Sequence, residues 1–95
     1  MSDEERLHDL VKLKIELWRL RDRALADAVD LAEARARGDE LLMRCQEVAA
    51  DLRDTRLSDA AEVHLIAARN ARWAIELHVP GRHTQPRPAR RRRSW

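Results

Sequence analysis

Ninety-five residues with a formal net charge of +2 make one domain at most, close to the lower size at which a chain folds without staples. One cysteine excludes an internal disulfide, the apolar runs fall far short of the ~20 residues that span a bilayer, and 44% hydrophobic content is too high for a wholly disordered chain. Phe and Tyr are absent and Leu, Ala, Arg and Glu dominate, all strong helix formers, so the expected class is all-α.

The first helix opens at Ser2. Ser2 with Glu5 three positions on forms a capping-box pattern, and Asp3, Glu4 and Glu5 suit the positive end of the helix dipole. The same acidic opening, MSDEER, is unlike the basic start of a signal peptide, so a cytoplasmic protein is expected. No Gly or Pro interrupts the chain before Gly38, where Arg35 and Arg37 precede the glycine as stop signals. This predicts a helix of about 35 residues, roughly 50 Å long.

Asp39 and Glu40 then open a second helix that reaches Val79 before Pro80-Gly81. With a turn at Gly38 the two helices fold back as a long antiparallel hairpin over residues 1–80. That register pairs Leu31 with Cys45, Ala28 with Val48, Ala24 with Leu52, Leu13 with Val63 and Leu10 with Ile66. Helix one supplies the heptad stripe Leu10, Leu13, Leu17, Leu20, Ala24, Asp27, Leu31 and Ala34. Helix two supplies Leu41, Cys45, Val48, Leu52, Thr55, Asp59, Val63, Ile66, Asn70, Trp73 and Leu77. Its spacing stutters at Asp59–Val63 and turns polar at Thr55, Ser58 and Asp59, which predicts a kink or break at 55–59 and a formal count of three helices. Cys45 lies in the apolar stripe and reads as a small buried hydrophobe.

Helix one carries a second apolar stripe that a hairpin leaves in water: Val11, Ile15, Trp18, Leu25 and Val29, with Ala32. Each large side chain so exposed forfeits roughly 1.5–3 kcal/mol of burial. Three arrangements cover it. The segment from Ser58 folds across it in one chain, two hairpins pair as a homodimeric coiled-coil or four-helix bundle, or a helix of another protein docks there. The paired hairpin is the leading expectation.

No phosphate-cradling glycine loop, zinc-binding helix motif or nucleophile elbow is present, so no enzyme, cofactor or metal is expected. His8, His64, His78 and His83 lack helical metal-ligand spacing, and the loop pair His78 and His83 is a weak candidate. Carboxylate pairs such as Asp51 with Asp54 balance neighbouring arginines.

Residues 57–75, "LSDAAEV" followed by "ARNARWAIE", resemble the helix-turn-helix of small excisionase-like and MerR-like DNA binders at Leu57, Ser58, Ala61, Val63, Ile66, Arg69, Asn70, Arg72 and Ile75. The resemblance covers under a quarter of the chain, and Leu65 stands where those families place a turn glycine. It implies a DNA-binding regulator in which Arg69, Asn70 and Arg72 contact bases or phosphates.

Residues 81–95 differ from everything before them. The first 81 residues hold 13 basic and 17 acidic side chains, whereas 82–95 hold six arginines and no acid. Pro80, Gly81, Pro86 and Pro88 oppose helix and favour a disordered basic tail. Arg82, Arg87, Arg90, Arg91, Arg92 and Arg93 are the candidate nucleic-acid-binding residues, and Trp95 is placed to stack on a base. The expected function is a non-enzymatic oligomeric accessory or adaptor protein whose tail binds nucleic acid. The alternative is a protein–protein effector or structural assembly component that grips a partner through the Trp18 stripe and docks its tail on an acidic protein surface. Seventeen arginines against two lysines suggest a GC-rich genome, hence a bacterial cytoplasm or a phage particle.

Overall fold

The structure, a computed structural model, describes residues 2–80 as three α-helices, with no strand among the described residues. They are α1 (Asp3–Leu25), α2 (Leu31–Asp51) and α3 (Ser58–Leu77). Each helix packs on the other two. Cross-links fix the directions: α1 and α3 run parallel, with Lys14 beside His64 and Trp18 beside Ala67, while α2 runs against both, with Arg37 meeting Glu16 and Arg72 meeting Asp39. The fold is an up-down-up three-helix bundle in one chain, in place of the long two-helix hairpin.

The start of α1 follows its sequence signals. Ser2 Oγ accepts from the Glu5 N–H at 3.2 Å and the Glu5 carboxylate accepts from the Ser2 N–H at 2.9 Å. These bonds, the backbone one first, hold the Glu5 carboxyl below its ordinary value.

The first reversal comes at 26–30 and not at Gly38. Asp27 takes φ 56°, in the left-handed region that Asp tolerates better than most residues. Three residues later Asp30 caps α2, its carboxylate accepting from the Glu33 N–H at 3.0 Å. The stretch Asp30-Leu31-Ala32-Glu33 is thus a helix start inside what periodicity alone reads as one continuous helix. With the turn moved by about ten residues, the predicted pairings of Leu31 with Cys45 and of Leu10 with Ile66 do not form.

Gly38 instead lies buried in the middle of α2. A Cβ built there meets Arg72 Cδ at 2.9 Å and Ile75 Cδ1 at 3.6 Å. Its role is to admit the side of α3, a close approach and not a stop.

The second reversal occupies 52–57, at the break expected for 55–59. Leu52 ends α2 fully buried, and Asp54 adopts φ 69°. Thr55 Oγ1 donates to the Leu52 carbonyl at 2.6 Å and accepts from the Leu57 N–H at 3.1 Å, giving this turn its own polar closure. Ser58 is the first residue of α3, and the N-cap position belongs to Leu57, without a side-chain cap.

The core consists of Leu10, Leu17, Leu20 and Ala24 from α1, Ala34, Leu41, Cys45 and Leu52 from α2 and its end, and Ala61, Leu65, Ala68, Ala71 and Ile75 from α3. The α1 stripe and the first half of the α2 stripe match expectation. On α3 the prediction is reversed: Val63, Ile66, Asn70, Trp73 and Leu77 are exposed, and the helix turns its mostly small-residue side inward.

Candidate binding surfaces

The second stripe of α1 is largely covered from within. Trp18 packs against the core, and its Nε1–H donates to the Ala67 carbonyl of α3 at 3.0 Å. Arg21 lies over its ring at 4.7 Å from the centroid and also reaches Asp22 at 2.9 Å. Val29 packs on the core, and Val11 and Leu25 are half-buried. Of the five interface candidates only Ile15 remains exposed. Folding of the segment from Ser58 across α1 is therefore how the chain covers this stripe.

One turn below Trp18, Lys14 Nζ lies 3.0 Å from His64 Nδ1. A lysine ammonium donates only, so Nδ1 accepts and the ring proton sits on Nε2. Desolvation, followed by the nearby Lys14 charge, holds the His64 pKa below its ordinary value, which keeps the imidazole neutral and able to accept.

Polar side chains also rivet α3 to α2. Arg72 Nε donates to Asp39 at 2.7 Å and Arg72 Nη2 to Glu76 at 3.0 Å. The Asp39 hydrogen bond contributes first to raising the Arg72 pKa, so the guanidinium is charged throughout. Arg35 Nη2 donates to the Glu76 carbonyl at 3.0 Å. At the end of the bundle the His78 ring lies 2.8 Å from the Asp27 carboxylate, tying the end of α3 to the first turn.

These contacts change the outlook for a DNA reader in 57–75. Residues 58–77 form one uninterrupted helix, so no turn divides a first helix from a recognition helix. Arg72 has its side chain 13% exposed and engaged by two carboxylates, which removes it from a base-reading role. The helix-turn-helix resemblance does not extend to the structure.

Among the described residues no cluster of three or more His, Cys, Asp or Glu side chains has metal-binding proximity. Cys45 is buried, and burial first, then Glu16, pushes its thiol up to about 11. A groove of about 530 Å³ between α1 and α2 is open and lined by Glu16, Arg19, Asp22, Arg23 and Arg37 above Leu20 and Leu41, a mixture of opposite charges that favours neither sign of ligand.

The surface with the most unsatisfied character is the outer side of α3, where Val63, Ile66, Trp73 and Leu77 face water in a row. Periodicity finds this row but assigns it inward, because apolar spacing alone carries no information about which of two faces fits a neighbour. Among the described residues no helix is long and apolar enough to cross a membrane. The candidate nucleic-acid-binding residues Arg82, Arg87 and Arg90 to Arg93 lie outside the described residues. Comparison with protein-family models, curated proteins and solved structures yields no match.

Proposed function

We propose that the protein is a helical binding module that presents an arginine-rich segment, 82–95, to nucleic acid. The observation that carries this is the segregation of charge: six arginines and no acid in fourteen residues, joined to a stretch with 13 basic and 17 acidic side chains. Clustered guanidinium groups contact phosphates and release condensed counterions, giving affinity that is sequence-tolerant and strongly salt-dependent. The bundle would act as carrier: residues 3–77 fold by their own core, and the His78–Asp27 contact fixes where the chain leaves α3.

The test is a binding titration with duplex and single-stranded DNA across a salt series, for the full chain and for a chain ending at Gly81. Full engagement of six arginines predicts a slope of log affinity against log salt of about −5.4 on duplex DNA and about −4.2 on single strands. Loss of binding in the shortened chain is the expected result. Absence of binding by the full chain at low salt, or binding unaffected by the truncation, would falsify this reading. The competing role, a partner protein gripped by the Trp18 stripe, is weakened because Trp18 is half-buried and its indole N–H is already used.

A further inference from the structure

The outer face of α3 fits a second copy of this chain. Val63, Ile66, Asn70, Trp73 and Leu77 follow one another at alternating steps of three and four, the a/d spacing of a coiled-coil seam. At about 100° per residue this line lies roughly 180° around α3 from Ala61, Leu65, Ala68 and Ile75, which face the core. Val63 is 65% exposed, Ile66 46%, Trp73 64% and Leu77 58%, so the seam is a contiguous apolar strip and not the rim of the core. Its apolar area is on the order of 500 Å², at the upper end of the largest patch that a typical monomer exposes. Together with the stems of its flanking side chains it approaches the ~800 Å² per partner of a standard interface.

Three features select a second copy over an unrelated helix. First, Asn70 occupies the middle a-type position, between Val63 and Leu77. A single asparagine there sets register and two-stranded pairing, because in a parallel pair it meets its own counterpart and the two amides satisfy each other. Second, the flanking positions on one side, Ala60, Ala67 and Ala74, are all alanine, while those on the other are Glu62, Arg69 and Glu76. Parallel pairing sets Glu62 against Ala67 and Arg69 against Ala74 of the other copy, with no like-charge contact at either position. Third, full-length antiparallel pairing sets Arg69 against Arg69 and Glu62 against Glu76, both repulsive. We propose that the protein forms a parallel homodimer through the Val63–Leu77 face of α3, with Asn70 opposite Asn70 of the second copy. The inference is independent of nucleic-acid binding by residues 82–95.

The experiment measures mass in solution by light scattering and sedimentation equilibrium, on the full chain across a concentration series, with far-UV circular dichroism as the folding control. The expected species has twice the 11.1 kDa chain mass. Ile66→Asp and Trp73→Asp should each weaken association by at least about 100-fold and leave the helical signal near that of the wild type, since neither side chain is part of the core; the melting temperature should fall only by what association contributes and lose its dependence on concentration. Asn70→Leu should tighten assembly and admit species larger than a dimer. Asn70→Cys should cross-link copies under mild oxidation, because parallel pairing brings the two thiols together; Cys45, buried, does not compete. A wild-type chain that stays monomeric at about 100-fold above a micromolar dissociation constant overturns the proposal. So does a dimer that survives Trp73→Asp and Ile66→Asp but is lost in Ile15→Asp. A dimer in which Asn70→Cys does not cross-link overturns the parallel register.

Discussion

Gly38 offers the sharpest discrimination between a helix stop and a helix contact. A glycine that ends a helix in the left-handed region loses about 1–2 kcal/mol on replacement by alanine. Gly38 is in the body of α2, so alanine there gains about 0.8–1.0 kcal/mol of helix propensity. Against this gain stands the 2.9 Å approach of a new Cβ to Arg72 Cδ. That atom must give way by several tenths of an ångström, and it belongs to a side chain pinned by Asp39 and Glu76. The displacement costs about as much as the propensity returns, a fraction of the ~1–3 kcal/mol of ordinary overpacking, so Gly38→Ala should fall within about 0.5 kcal/mol of the wild type. Gly38→Val adds two methyl groups pointing at Arg72 and Ile75, and recovers less propensity because valine is β-branched. We expect it to lose about 2–3 kcal/mol, a large share of the stability of a domain this size. Urea unfolding followed by far-UV circular dichroism measures both, as midpoint shifts at constant slope. Wild-type stability in Gly38→Val would refute the argument that α3 packs against this glycine, and a loss beyond about 1.5 kcal/mol in Gly38→Ala with the slope unchanged would refute the balance between propensity and displacement.

Three other perturbations follow from contacts described above. Trp18→Glu places a charge beneath α3 and removes the bond to the Ala67 carbonyl; a loss of about 2–4 kcal/mol is expected in thermal unfolding, and an unchanged melting temperature would mean that the stripe is free. His64 has a folded-state pKa below its ordinary value of 6.5, so the unfolded chain takes up this proton more readily. The neutral ring carries no such penalty above about pH 6.5, and stability falls as pH drops through that value. His64→Gln should remove this part of the pH dependence, seen as a gap from wild type that changes between about pH 8 and pH 5; parallel profiles would refute it. Cys45, with its thiol pushed up to about 11, should be alkylated by iodoacetamide at about pH 8 at least 100-fold more slowly than after unfolding in urea; equal rates would show that the position is not enclosed.

Much of the bundle was legible in the sequence. The capping box at Ser2, the α1 stripe from Leu10 to Ala24, the burial of Cys45 and the break before Ser58 all rest on local chemistry or strict spacing, and all appear in the structure. The first turn leaves little trace in the sequence because Asp27 to Asp30 contains neither glycine nor proline, and its two aspartates act by different means, one through a left-handed backbone and one as a cap. The motif Asp30-Leu31-Ala32-Glu33 was the available signal, masked by apolar periodicity running through it. Gly38 misled for the complementary reason: a glycine needed for close packing and a glycine needed for a turn look alike in one dimension. The Trp18 stripe is apolar enough to need cover, and its cover is α3. The arginines of 82–95 were legible as charge alone.

The inward side of α3 has a consequence for how the chain selects its own geometry. Three of the five α3 side chains in the core are alanines, while its bulkiest residues, Trp73 among them, point away. Polarity would not set this orientation; greasiness alone would roll the helix over. Volume decides instead, since only the slim side enters the space left between α1 and α2, where Gly38 and Ala34 already give ground. The bundle therefore works as a size gauge on its third member. Substitutions that thicken Ala61, Ala68 or Ala71 would act as wedges, lifting α3 off α1 and α2 as a unit, because turning it would bring the still bulkier side with Trp73 into the same space.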